Sequence, residues 1–487
     1  MTAPLAFHLG SQIPDATDDP LLQAWQVAWD GHALLHQPLH LFDANAFWPE
    51  RHSLAFSDSL LGYGPAGMIG SGPLAALYRY NGLFVFAYVL AFVAGWFLAR
   101  ELGLKPLGAA VAATAFAFAP WRAAQAAHLH VLSSGGIPLT FFFLLRGFRR
   151  RSPWHVFAGF AVAAWQVSLG FSLGLQLLYA LLVVVPLLVW RNRDRRLVAA
   201  TGGGAALLAA VSIALAIPYL QVRDDHPESK RSATLVKAFS PPARGLLAAP
   251  AENVVWGYRT SAARNNLQTS NVTAPSSEKT LFPGLVAVLL ALVGLRAGPF
   301  PRALRIGLAI ATAFSGLLAL GLSLGSISPY KLFYDLAPGW DAIRTPGRLA
   351  TLMTLGLALL AGAGADRLRA QSSGRVAMLT LLLPVLVLFE GWAPPEMAVV
   401  PKTPAYFSQV PTPALYLPSN RFVDSRYMYW STDGFGPIVN GWSGFEPKTL
   451  VTIRDSTRDF LDAPDGRVFL RGLGVKSVVA HGRVYRP

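Results

Sequence analysis

The sequence predicts a polytopic α-helical membrane protein with a small mixed α/β module at its C-terminal end. Three observations carry that prediction. The 487 residues are 53% hydrophobic, with a mean hydropathy of +0.41, too apolar for a water-soluble globule. Ten apolar runs approach the ~20 residues that cross a bilayer. The Arg- and Lys-rich connectors alternate with connectors that lack such enrichment, which is the signature of positive charge kept inside.

In chain order, residues 1–80 read as a first extracytoplasmic loop with interfacial helices. The transmembrane domain follows over 81–392, with runs at 81–99, 107–120, 131–148, 154–170, 172–190, 197–220, 281–295, 303–324, 347–365 and 376–392. The connectors ARELGLKP (99–106), RGFRRR (146–151), RNRDRR (191–196), RAGPFPRALR (296–305) and DRLRAQSSGR (366–375) hold sixteen basic residues against Glu101, Asp194 and Asp366. They are every second connector, and so are expected in the cytoplasm. The net charge of +15 is then a topology signal, and nucleic acid is not an expected partner because no folded face gathers the charge.

This parity places residues before 80, the 221–280 loop and the tail 393–487 outside. It also calls for a missing first helix, with residues 3–9 as its outer end, since MTAPLAFHLG does not have the features of a signal peptide. The 59–78 stretch is rich in Gly and Pro and reads as interfacial or re-entrant. In the tail, RVFL (467–470) and VKSVVAH (475–481) read as short strands between turns. The chain has no cysteine, hence no disulfide or thiolate site. The NVT at 271–273 fits a glycosylation sequon, which carries no weight if the Ala- and Arg-rich usage marks a bacterial protein.

Chemistry concentrates on the outer side. The predicted spans hold almost no ionisable residues, unlike an energy-coupled transporter, so a surface site at the membrane boundary is expected. Asp18 and Asp19 precede Pro20 and a helix; capping explains such residues as well as chemistry does. Trp25, Trp29, His32 and His36 share one helical face, the tryptophans as an interfacial belt or as sugar-stacking contacts. Arg122, in APWRAAQAAHLH, can fork onto a lipid phosphate or snorkel to headgroups. His128 and His130 suit hydrogen bonding to phosphate or sugar; as metal ligands they lack a clear third partner, so no cofactor is indicated and metal use stays open. Arg344 and Arg348, near Asp341 in PGWDAIRTPGRL, can bind an anion at a helix start or pair with loop carboxylates such as Glu278. Asn440 and Trp442 belong either to turns or to a carbohydrate-facing surface.

The ordered motifs DPLLQAWQVAWDGHAL, LFDANAFWP, SLAFSDSLLG, FAPWRAAQAAHLHVL, SEKTLFPG, PGWDAIRTPGRL and YWSTDGFGPIVNGWSGFEP together resemble bacterial multi-pass glycosyltransferases of the GT-C superfamily across nearly the whole chain. The resemblance implies a GT-C-like transmembrane bundle in the bacterial plasma membrane. It further implies a polyprenyl-phosphate sugar donor, a glycan or lipid acceptor of the cell envelope, and an acidic first-loop residue as base. Asp19 matches that residue, with Asp18 and Asp58 in reserve. Arg122, Arg344, Arg348, His128 and His130 are then expected around the donor phosphate, and Trp25, Trp29 and Glu278 at the acceptor or sugar, in an inverting transfer. The rival readings are a lipid-carrier flippase or transporter and a non-catalytic envelope-assembly protein.

Overall fold

The computed structural model describes residues 3–272, 274–457 and 464–481, so Thr273 of the NVT sequon lies outside them. The chain divides into two compact units. One comprises Val85–Ser212 and Arg231–Pro395, the other Thr2–Phe84, Ile213–Lys230 and Glu396–Pro487. Two of the boundaries, at 84/85 and 212/213, fall inside the long helices Gly72–Glu101 and Arg195–Asp225.

Among the described residues, six helices are long and apolar enough to cross a membrane: Gly72–Glu101, Leu129–Arg150, Phe171–Arg191, Arg195–Asp225, Arg302–Ala319 and Pro346–Gln371. The other four apolar runs form shorter pieces, for local reasons. Pro120 follows the helix Pro106–Ala117, Gly170 ends Pro153–Leu169, and Pro283 with Gly284 delays the start of Leu285–Ala297. The run 376–392 breaks into Gly374–Leu379, a 3-10 turn and Leu383–Glu390, with Pro384 at the start of the last piece, where its missing N–H costs nothing. The 59–78 stretch is likewise interrupted, by short turns at Leu61–Tyr63 and Gly64–Gly67 before the long helix begins at Gly72.

The Val85–Pro395 unit is built around the helix Ala350–Gln371, buried along most of its length. Its AGAGA run (361–365) explains that position, because small residues let helix backbones approach closely. A Cβ added at Gly364 would lie 1.9 Å from the Leu290 carbonyl oxygen, and one at Gly362 would lie 2.3 Å from that of Gly108. Asp366, in the fifth basic connector, accepts from the backbone N–H groups of Lys105 at 2.7 Å and Gly108 at 2.9 Å. It thereby satisfies orphan donors at the start of the Pro106–Ala117 helix. The basic connectors sit at helix C-terminal ends, with Arg100, Arg149, Arg191, Arg296 and Arg369 in last turns, where positive charge is favoured.

In the second unit the first loop and the tail fold together rather than standing apart. Strand β1 (Gln12–Pro14) pairs antiparallel with β2 (Met397–Val399), and β3 (Ala414–Leu417) pairs in parallel with β4 (Ser477–Ala480). Residues 45–48 exchange backbone hydrogen bonds with 438–440, Asn45 O accepting from Ile438 at 2.7 Å and Trp48 N donating to Ile438 O at 2.9 Å. RVFL, expected as a strand, lies in the helix Pro464–Gly472. Leu470 sits in a core with Leu415, Leu417, Val439 and Ile453, against which Phe469 and Leu473 also pack; the 469/470/473 spacing is a helical one.

Candidate functional site

Within the Val85–Pro395 unit, the residues expected to bind phosphate and sugar form a buried polar cluster. Arg348 lies in a 3-10 turn, Pro346–Leu349, leading into the central helix, and Glu278 in another, Ser276–Lys279. Arg348 donates from Nη2 to Glu278 Oε1 at 2.8 Å and from Nη1 to His130 Nε2 at 2.9 Å. Gln125 Nε2 donates to the second Glu278 oxygen at 3.3 Å, and His128 Nε2 lies 3.7 Å from Oε1. A guanidinium only donates. His130 therefore accepts at Nε2 and is the neutral tautomer protonated on Nδ1.

Burial acts to raise the Glu278 carboxyl. The charges of Arg348 and His128, the Arg348 hydrogen bond and the Arg344 charge outweigh it, holding the group down at about 2. Arg348 is 6% exposed, and its Nε is buried without a hydrogen-bond partner among the described residues. Arg344 lies with its guanidinium carbon 4.8 Å from the Phe239 ring centroid. Glu278 is thus tied to arginine, the structural pairing that the sequence left open, whereas its expectation as a sugar contact has no geometric support.

Arg122 is buried and directs its donors inward, Nε to Ala117 O at 3.0 Å, Nη1 to Ser134 Oγ at 2.8 Å and Nη2 to Leu132 O at 2.8 Å. Burial lowers its pKa to about 10. This geometry ties the 117–134 segment together, and neither snorkelling nor phosphate binding describes it.

The carboxylates of the first loop lie in the other unit. Asp18 is the N-cap of the helix Asp19–His36, its Oδ1 accepting from the Asp19 N–H at 2.7 Å. Asp19 has a different partner. Its Oδ1 accepts a 2.8 Å hydrogen bond from the indole Nε1–H of Trp442, a contact across 423 positions that no local pattern announces. Asp58 carries its backbone oxygen to Gln26 Nε2 at 2.8 Å.

Trp25 and Trp29 are 1% and 2% exposed and donate to Asn45 Oδ1 at 2.9 Å and Leu41 O at 2.8 Å. They are core residues, neither a headgroup belt nor a surface for stacking sugars, because the helix is buried on all sides through most of its length. Asp30, on the same helix, is fully buried, and neither carboxylate oxygen has a hydrogen-bond partner among the described residues. Desolvation pushes its carboxyl well above the usual range.

For metals, His128 and His130 are engaged with Glu278 and Arg348, and no group of three or more His, Cys, Asp or Glu suited to a metal occurs among the described residues.

No protein-family model matches the chain, and no curated protein matches it. Among solved structures, the fold is similar to the arabinofuranosyltransferase AftD from Mycobacteria, determined by single-particle cryo-EM. The TM-score is 0.52 at 15% sequence identity, covering 86% of this chain and 29% of that one. The chain thus spans less than a third of that protein's length. At this identity the likeness concerns the fold alone and assigns neither a family nor an activity to the chain.

Proposed function

We propose that the chain is an integral-membrane glycosyltransferase moving a sugar from a polyprenyl-phosphate donor to a cell-envelope acceptor, on the extracytoplasmic face and with inversion. The observation that carries this reading is the division of labour at the start of the Asp19–His36 helix. Asp18 supplies the side-chain cap, while the Asp19 carboxylate is oriented by an indole N–H. A helix that needed only an N-terminal cap has one already. The fold likeness to an arabinofuranosyltransferase agrees with this reaction class.

In the reaction, the acceptor hydroxyl attacks the anomeric carbon from the face opposite the phosphate. A new carbon–oxygen bond forms as the sugar–phosphate bond breaks, and the polyprenyl phosphate leaves with the bonding pair. Asp19 takes the hydroxyl proton and its charge steadies the cationic character developing at the sugar carbon. Separately, within the other unit, the charges of Arg344 and Arg348 exceed that of Glu278, an excess that suits an anionic group.

The test is turnover by the purified full chain in liposomes. Farnesyl-phosphate monosaccharides carrying labelled arabinofuranose, mannose, glucose or galactose are offered as donors, with envelope extracts as acceptor. Release of farnesyl phosphate with transfer of label supports the reading. Movement of intact donor across the bilayer without cleavage would replace it with a flippase.

A further inference from the structure

We infer that Trp442 is a positioning residue for Asp19, and that the C-terminal segment is therefore a working part of the first-loop site rather than a separate carbohydrate-binding module. This rests on the reading of Asp19 as the base.

The turn that bears the indole is held by a set of side-chain hydrogen bonds. Asn440 is fully buried and bonds β3 in both directions, its Oδ1 accepting from Tyr416 N at 2.7 Å and its Nδ2 donating to Tyr416 O at 2.8 Å. The same amide donates to Asp424 Oδ1 at 3.0 Å. Gly441 is held from both sides, its N–H reaching Asp424 Oδ2 at 3.4 Å and its carbonyl accepting from Arg454 Nη2 at 3.3 Å. Arg454 is itself fixed by Asp424 at 2.8 Å and Glu446 at 2.5 Å. A side chain at 441 would collide with Phe47, whose ring lies 2.4 Å from the Cβ it would carry. The backbone of Trp442 is anchored in turn, its N–H lying 3.1 Å from Met428 Sδ.

A chain of paired groups, buried at Asn440 and Asp424, thus ends in one indole N–H aimed at one carboxylate oxygen. Indole is a donor only. It cannot take the proton that Asp19 receives, so it can orient the carboxylate without competing for its function. Holding a reacting group within a narrow range of angles is what such second contacts contribute in catalytic sites. Because the residue acts through Asp19, its loss should appear in kcat while donor binding is kept.

The test replaces Trp442 with β-(3-benzothienyl)alanine, which keeps the shape and lacks the N–H, in the full chain. Trp442→Phe serves as a second variant and Asp19→Asn as the control. The panel of farnesyl-phosphate monosaccharides supplies the donor. The expected result is a kcat reduced about tenfold or more, the scale of a hydrogen bond to a charged group, with KM within about twofold and an unchanged unfolding temperature. In parallel, indole-[15N]Trp labelling identifies the Trp442 N–H resonance by its absence in Trp442→Phe. That resonance should move upfield in Asp19→Ala. An unchanged kcat in the benzothienyl variant, alongside an inactive Asp19→Asn, overturns the positioning role and leaves the base in place. An active Asp19→Asn removes the base, and the positioning role falls with it. An indole resonance indifferent to Asp19→Ala also overturns the inference.

Discussion

Removing the Glu278 carboxylate strands a buried arginine. Arg348 and Glu278 are both nearly inaccessible and meet at 2.8 Å, so Glu278→Ala leaves a guanidinium in a low-dielectric site without its counter-charge. Breaking a buried pair from one side typically costs about 3–5 kcal/mol. The carboxyl itself gives a similar scale. Held at about 2 against an ordinary 4.5, it contributes roughly 3 kcal/mol at 1.36 kcal/mol per pH unit. A lowered carboxylate pKa stabilises the fold above the unfolded value. The contribution is therefore complete above about pH 4.5 and is lost as the pH falls towards 2. Replacing both partners, as Glu278→Leu with Arg348→Leu, removes the stranded charge and should recover most of the loss. The assay is a double-mutant cycle on reversible unfolding in mixed micelles, with leucine at either or both positions. With each single change costing about 3–5 kcal/mol and the double recovering most of it, a coupling of at least about 3 kcal/mol is expected, the upper end for contacting groups. A coupling below about 0.5 kcal/mol, the additivity seen for independent sites, would show that the pair is not energetically linked.

Three further outcomes follow. Asp366→Ala leaves the helix start at Lys105 and Gly108 without its acceptor and should cost about 0.5–2 kcal/mol, with Asp366→Asn milder; micellar unfolding checks both. Asp30→Asn should stabilise the fold at pH 7 and flatten its pH dependence above the ordinary aspartate range. The buried carboxyl binds its proton more tightly than in the unfolded chain, so wild-type stability declines as pH rises, and the decline should vanish in the variant. For topology, cysteine in place of exposed Lys402 should react with an impermeant maleimide in intact cells, while cysteine in place of Arg150, in a basic connector, should react only after permeabilisation.

Apolar run length made the long helices legible in the sequence, and the basic connectors marked their ends. The shorter helices were less so. Whether Pro120, Pro283 or Pro384 bounds a helix or kinks it depends on the neighbours available to satisfy the freed backbone groups, and those neighbours come from distant parts of the chain. Polar residues at helix starts pointed to Glu278, Arg344, Arg348, His128 and His130, which the fold does gather. Their partners were not legible, since Arg348 and His130 are 218 positions apart. Trp25 and Trp29 show the limit of periodicity. An apolar stripe looks the same whether lipid, sugar or protein covers it, and here protein does, Trp25 meeting Asn45 and Trp29 meeting Leu41 and Phe435. RVFL illustrates a related ambiguity, as four residues fit either period until Leu415 and Ile453 select the helix.

Donor turnover by Asp19→Asn decides whether Asp19 is the base. Asp18 keeps the cap, and asparagine at position 19 retains an oxygen able to accept from Trp442, so fold and indole contact should survive. It cannot take the acceptor proton. With the farnesyl-phosphate sugar that the wild type turns over, the variant should be a folded, donor-binding protein slowed by about 10²-fold or more. A variant keeping more than about a tenth of wild-type turnover, against that 10²-fold floor, would contradict this and remove Asp19 from the role of base.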